Sequence, residues 1–193
     1  VGVGQLLASA GGVLLSSASN VLVSGNNISQ SGRWGIALRS NAGAPSCNNT
    51  IELNRVTDTG LTTADFGAIS LIDHTVGHVA TGNAVHHNCV RRAVGMRDDA
   101  WQGGFGALKT PWWGRALYLD DHSSSVAVEG NVFADSSHAS VFVHGGSFNI
   151  LANNVFAGAA SSALLFNAIG NATMLNETVQ CNAFVAGLGG SAG

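Results

Sequence analysis

The chain has 193 residues, 46% hydrophobic and only 10% charged, with a formal charge of −3 at neutral pH. That length and apolar content suit one domain with a sizeable core. The slightly acidic balance gives nucleic acid no footing, and no apolar run approaches the length of a membrane span.

Twenty-six glycines and two prolines predict many short strands joined by tight corners, an all-β chain. The sequence opens on Val1 with no initiating Met, charged leader or clear signal peptide and closes on "AGLGGSAG", which reads as a mature product or a piece of something larger. Strand-like segments then follow in alternation. "GVLLS" (12–16) precedes "VLVSGNNI" (21–28), and "GIALR" (35–39) precedes "NTIELNRV" (49–56). "AISLI" (68–72) precedes "HVATGNAV" (78–85), and "ALYLD" (116–120) precedes "VAVEGNVF" (126–133). "SVFVH" (140–144), "NILANNVF" (149–156), "ALLFN" (163–167) and "ETVQCNAF" (177–184) complete the series. The first member of each pair alternates with period two, the mark of a strand with one buried face.

The second members share one asparagine in register: Asn26, Asn54, Asn83, Asn131, Asn154 and Asn182, at steps of 28, 29, 48, 23 and 28 residues. One coil therefore takes roughly 23 to 29 residues, and the third carries an insertion of about 20. Stacked coils bury a continuous apolar core that no single coil could hide. A buried corner Asn can hydrogen-bond its equivalents above and below, an Asn ladder, and Gly25, Gly82 and Gly130 suit corners needing positive φ.

These coils, with "ALYLDDHSSSVAVEGNVF" and "VFVHGGSFNILANNVF", resemble the right-handed parallel β-helix repeat family of the pectate-lyase-like superfamily over nearly the whole chain. The resemblance implies a single right-handed parallel β-helix, secretion, and action on polymeric carbohydrate, often acidic polysaccharide. The catalytic Arg and Lys motifs of pectate lyases have no counterpart here, so no active site is carried over.

Vertical columns follow from the alternation, with equivalent positions about 4.8 Å apart. Ile36/Leu38, Ile69/Leu71, Leu117/Leu119, Val141/Val143 and Leu164/Phe166 point inward. The outward columns are Leu14, Ala37, Ser70, Tyr118, Phe142, Leu165 and Ser16, Arg39, Ile72, Asp120, His144, Asn167. Beyond them Asp73-His74 and Asp121-His122 repeat at the corner, placing His74 and His122 one above the other. In a chain with so little charge, this gathers acid–base chemistry on one face. Asp120 and Asp121 form the expected acid/base pair, with His144 and Asp73 in support, because neighbouring carboxylates push one pKa up while the other stays ionised. A lyase would instead use His144 or His122 as base, with Arg39 or a metal on the aspartates as neutraliser. Asp-His-Ser at a corner is equally good turn chemistry.

The insertion "CVRRAVGMRDDAWQGGFGALKTPWWGR" (89–115) holds five of the eight basic residues and three of the four tryptophans. As a loop over that face it would offer Trp101, Trp112 and Trp113, which with Tyr118 of the outward column form a sugar platform, and Arg91, Arg92, Arg97 and Lys109 for carboxylates or sulfates. Four sequons (Asn27, Asn48, Asn171, Asn176) support a secretory, glycosylated route. Cys47, Cys89 and Cys181 permit at most one disulfide and lack zinc-site spacing. No cofactor is required, with Ca²⁺ the alternative. The leading expectation is a secreted glycoside hydrolase or polysaccharide lyase. The second is a non-catalytic structural or adhesive module of a matrix, cell wall or surface filament, assembling through its ends. An ice-binding solenoid lacks the flat regular Thr array it would need.

Overall fold

The structure, a computed structural model, describes residues 11–75, 81–96, 111–170 and 173–186. These residues form eighteen strands and no helix, hence no helix long and apolar enough to cross a membrane. The strands lie in three parallel six-stranded sheets. The first stacks β1 (Val13–Ser16), β4 (Ile36–Ser40), β7 (Phe66–Asp73), β10 (Gly114–Asp120), β13 (Ala139–His144) and β16 (Ser162–Asn167). The second stacks β2 (Leu22–Ser24), β5 (Thr50–Glu52), β8 (Ala84–His86), β11 (Ala127–Glu129), β14 (Ile150–Ala152) and β17 (Thr178–Gln180). The third stacks β3 (Asn27–Ser31), β6 (Arg55–Thr59), β9 (Cys89–Ala93), β12 (Val132–Ala134), β15 (Val155–Ala157) and β18 (Ala183–Val185). The chain thus runs through the three sheets in turn and begins again one layer on, a parallel β-solenoid.

Register follows the alternation. Ile36 pairs with Ile69, Ile69 with Leu117, Leu117 with Val141 and Val141 with Leu164. Val23, Ile51, Val85, Val128 and Leu151 from the second sheet meet them in one core, with Val56, Val90, Phe133 and Phe156 from the third. Phe133 and Phe156 stack at 5.8 Å, so aromatic columns replace aliphatic ones in the later coils. In the last described coil Phe166, Val179 and Phe184 are exposed, because among the described residues no strand packs beyond β16, β17 and β18.

Between the second and third sheets a buried amide column closes each coil. It runs Asn26, Asn54, Asn88, Asn131, Asn154, Asn182, each Nδ2 donating to the next Oδ1 at 2.9 to 3.0 Å. The member from the third coil is Asn88, not Asn83, so the steps are 28, 34, 43, 23 and 28 residues. Asn83 belongs to a second corner column, entering the second sheet, that reads Val21, Asn49, Asn83, Val126, Asn149, Glu177. The Gly-Asn dipeptide misleads because both corners have the same local geometry. A positive-φ residue precedes every member of both columns: Gly25, Leu53, His87, Gly130, Asn153 and Cys181 at one, Asn20, Asn48, Gly82, Ser125, Phe148 and Asn176 at the other. That bend turns the following side chain inward.

The inserted segment is also shorter than the sequence suggests. Cys89–Ala93 is strand β9, and Gly114–Arg115 opens β10. Arg91 and Arg92 therefore lie along the third sheet, paired with Asp135 and Asp58 at 3.0 and 2.6 Å, and not over the first.

Asn131 shows what the column contributes. Its Nδ2 donates to Val85 O, Glu129 O and Asn154 Oδ1, while its Oδ1 takes the N–H and Nδ2 of Asn88. Asn131→Ala leaves several of these groups buried and unmet and should lower stability by about 2 to 4 kcal/mol in denaturant unfolding. Glu177 ends the other column. Its Oε1 accepts from Asn149 Nδ2 at 3.2 Å, its Oε2 is buried with no partner, and burial pushes its pKa up from 4.5 to about 7. The folded chain therefore holds an extra proton between these values, and the coil loses that stabilisation as pH rises through 7. Glu177→Gln should raise stability above that pH by about 1 kcal/mol, after solvent screening at this half-buried site, and should gain progressively less as pH falls. Thermal unfolding at the two ends of the range checks this, and an equal gain at both would contradict it.

Candidate functional site

Strands β10 and β13 end side by side on the outer face of the first sheet, near the middle of the stack. Asp120 closes β10 and His144 closes β13. Their side chains meet, with His144 Nδ1 3.0 Å from Asp120 Oδ1. A carboxylate only accepts, so this contact places the ring proton on Nδ1. Asp120 Oδ1 also accepts the backbone N–H of Asp121 at 3.0 Å. The Tyr118 hydroxyl stands 3.3 Å from His144 Nδ1 and is hydrogen-bonded to Asp120. Burial first, and the Asp120 charge second, push the Tyr118 phenol far above its ordinary value, which keeps it a proton donor.

The chain then turns sharply. Asp121 and His122 both have positive φ, 46° and 71°, although neither is glycine, and two such residues in succession carry backbone strain. The turn swings Asp121 back beside Asp120. His74 Nδ1 lies 3.2 Å from Asp121 Oδ2, and Arg39 Nη2 lies 3.5 Å from His74 Nε2. A guanidinium has no acceptor, so His74 Nε2 accepts from Arg39 and its Nδ1–H faces Asp121. Burial, then the neighbouring Asp120 charge, hold the Asp121 carboxyl above the usual carboxylate range, with His74, His144 and His122 pulling the other way. The site thus contains a carboxylate surrounded by donors and a neighbouring carboxyl biased toward its acid form. Among the described residues, Asp120, Asp121 and His144 also form a group whose ligand atoms all lie within 4.8 Å of one another, close enough to hold a metal ion.

Not every expected residue joins this group. Asp73 turns inward and is 2% exposed, its Oδ1 capping Thr75 N and Oγ1 at 2.8 and 2.5 Å. Its Oδ2 has no partner and borders a void of about 10 Å³ within the corner, about the room of one water. Asp73 is a corner residue, because a buried Asx turn satisfies it before it can reach the outer face. Tyr118 is 4% exposed and stacks on Phe142 at 4.9 Å, so it forms a wall beneath the site and offers no sugar platform. His122 turns its Nδ1 to Gly145 O at 3.2 Å, and His74 reaches Asp121 across the coil step. Trp112 and Trp113 stack at 5.8 Å, Arg115 lies over the Trp113 ring at 5.8 Å, and Trp113 remains 45% exposed beside the wall. Trp101, Arg97, Lys109 and Asn171 lie outside the described residues. Asn27, Asn48 and Asn176 are exposed.

Arg115 is the neighbour that alternation conceals. Leu117 and Leu119 face the core, which would send Arg115 inward as well. Ala116 and Leu117 both pack in the main core, however, so the period breaks and Arg115 emerges on the outer wall. It is 3% exposed, lies over the Tyr118 and Phe142 rings at 4.4 and 4.9 Å and binds Asp65 Oδ1 at 2.6 Å. His138 completes the wall against Phe142 and Trp113 at 6.3 and 6.0 Å, its pKa lowered by burial and then by Arg115. The aromatic wall therefore runs from the partly exposed Trp113 to His144 and the acid pair. Arg33 stacks on Trp34 at 4.6 Å, and the charges of Arg39 and Asp120 both act on it.

No family model matches the chain, and neither a curated protein nor a solved structure matches it.

The order of the two causes at Asp121 makes a prediction. In carboxyl-carbon NMR titration its midpoint should lie above that of an ordinary aspartate. Asp120→Asn should bring it down without abolishing the elevation, since burial is the larger cause. An Asp121 midpoint that does not respond to Asp120→Asn would contradict this arrangement.

Proposed function

We propose that the protein is a secreted carbohydrate-active enzyme that cleaves a polysaccharide laid across the outer face of the first sheet. The observation that carries this reading is the meeting of Asp120, Asp121 and His144 at a corner strained at two consecutive non-glycine residues. Asp121 is the general acid, and Asp120 is the nucleophile, oriented by His144 and Tyr118. Oxygens of the two carboxyls lie within 4.8 Å of one another, nearer the spacing of about 5 to 5.5 Å in glycosidases that proceed through a covalent glycosyl–enzyme than the wider spacing of those that invert. Asp121 protonates the leaving oxygen as Asp120 bonds to the sugar carbon, then takes a proton from the water that breaks that bond. Trp113 supplies an apolar face for a sugar ring, and Arg39 faces the opposite side of the acid pair.

We also infer right-handed winding, the hand that crossovers between parallel strands almost always take, and assign the buried amide columns to the Asn-ladder coils of the pectate-lyase-like superfamily. The exposed sequons Asn27, Asn48 and Asn176 fit a secreted glycoprotein.

The test is a polysaccharide panel assayed for new reducing ends and for unsaturated, ultraviolet-absorbing products. The wild type should release reducing ends without ultraviolet absorbance. Asp120→Asn and Asp121→Asn should each lose about 10² to 10⁴ in rate. Failure of the wild type to cleave anything, or cleavage by the variants at the wild-type rate, would overturn the assignment; unsaturated products would replace hydrolysis with elimination.

A further inference from the structure

A second cluster of titratable groups lies on the outer face of the second sheet. Ser24, Glu52, His86 and Glu129 form one outward column, paired in register from strand to strand. Ser24 Oγ donates to Glu52 Oε1 at 3.3 Å, and Glu52 Oε2 lies 3.4 Å from His86 Nε2. A carboxylate there draws the ring proton to Nε2 and leaves a lone pair on Nδ1. On a regular strand the next residue would face the other way. His87 instead has φ 54°, and the bend brings its ring back to the same side, with the two Nδ1 atoms 3.0 Å apart. The rings meet edge to face at 5.2 Å and 89°.

We propose that His86 and His87 bind a divalent transition-metal ion, of which Zn²⁺ is the type, through their facing Nδ1 atoms, with Glu129 as a third ligand and Glu52 orienting His86. Two imidazoles on tetrahedral Zn²⁺, each bonded at about 2.05 Å, hold their nitrogens about 3.3 Å apart. The observed pair needs to open by a few tenths of an ångström, and both rings must turn so that nitrogens now aimed at each other converge on the ion. Without the ion, His87 Nδ1–H donates into the His86 lone pair. With it, the His87 proton moves to Nε2, so both lone pairs point at the metal and no net proton is lost. Glu129 is exposed and pairs in register with His86 from the next coil, a strand spacing of about 4.8 Å along the stack, on the same outward column as the imidazole pair. A carboxylate behind a ligating imidazole is the usual partner of such a site. Gly130 makes room for it: a Cβ there would come within 2.9 Å of the His87 ring. Two imidazoles and one carboxylate select Zn²⁺, Ni²⁺ or Cu²⁺ over Ca²⁺ or Mg²⁺. This centre lies on a different sheet from Asp120, Asp121 and His144 and does not depend on the chemistry proposed there.

Titration of the whole chain with Zn²⁺ alone, read by calorimetry and by imidazole-nitrogen NMR, tests the proposal. One ion should bind at micromolar concentration, with both Nδ1 resonances moving. His86→Ala and His87→Ala should each weaken binding at least tenfold, and Glu52→Gln by about tenfold. The Asp120→Asn/Asp121→Asn double variant should bind as the wild type does. Gly130→Ala keeps every ligand and should still weaken binding by displacing the His87 ring, a readout that survives if a histidine variant folds poorly. The proposal is overturned if no saturable binding occurs below millimolar Zn²⁺, if binding survives loss of either histidine, or if it is lost in the double variant. Tightest binding of Ca²⁺ would overturn it equally.

Discussion

The buried amide column is the constraint on which the rest of this solenoid depends. An amide has two donors and an acceptor to satisfy, and away from water each unmet group costs about 1 to 3 kcal/mol. A coil can therefore bury an Asn at its corner only if its neighbours present an acceptor above and a donor below, at one height and one rotation. Asn54, Asn88, Asn131 and Asn154 meet that requirement through hydrogen bonds across the coil steps. Coils of quite different length are thereby brought to one register, since extra residues must leave between strands and cannot disturb the corner.

Fixed interior registry leaves the outer face free to vary, and the candidate site lies where the repeat is broken. The position of Asp120 is held by Ile72 one coil earlier and Asn167 two coils later. The acid pair is unrelated to the coil-forming pattern. The alternation also fails at Ala116 and Leu117, which releases Arg115 onto the wall. A cation buried against Tyr118 and Phe142 and joined to Asp65 makes this the polar part of an otherwise weakly charged surface. Its aromatic rings line one side of the acid pair, and partial burial is the first cause that raises the Asp121 carboxyl.

The same geometry has a second use at the corners. A positive-φ residue before each column Asn turns that Asn inward, but it also redirects its own side chain. In most coils that residue is small or faces solvent alone. At His87 it brings a second imidazole against His86, so a bend required for the fold also creates the paired nitrogens.

Much of the architecture was legible in the chain: the all-β class, the coil period, the inward Ile, Leu and Val columns and the outward register of Tyr118, Asp120 and His144. These follow from period-two alternation and a recurring corner, which are local and repeated. What failed was local as well, but ambiguous. Two corners share one bend, so Gly82-Asn83 looked like a member of the column that Asn88 occupies. Asp73 and Asp121 have equivalent places in sequence, yet Asp73 is captured by Thr75 inside the corner and Asp121 turns outward. Tyr118 had the right face and the wrong exposure, because alternation gives direction and cannot say what covers a side chain. The sequence by itself determined which residues repeat and which face each would take, since those depend on neighbours along the chain. Only the tertiary structure decided which carboxyls meet, which rings are buried and which tautomers the histidines hold, because these depend on atoms brought together from coils more than twenty residues apart.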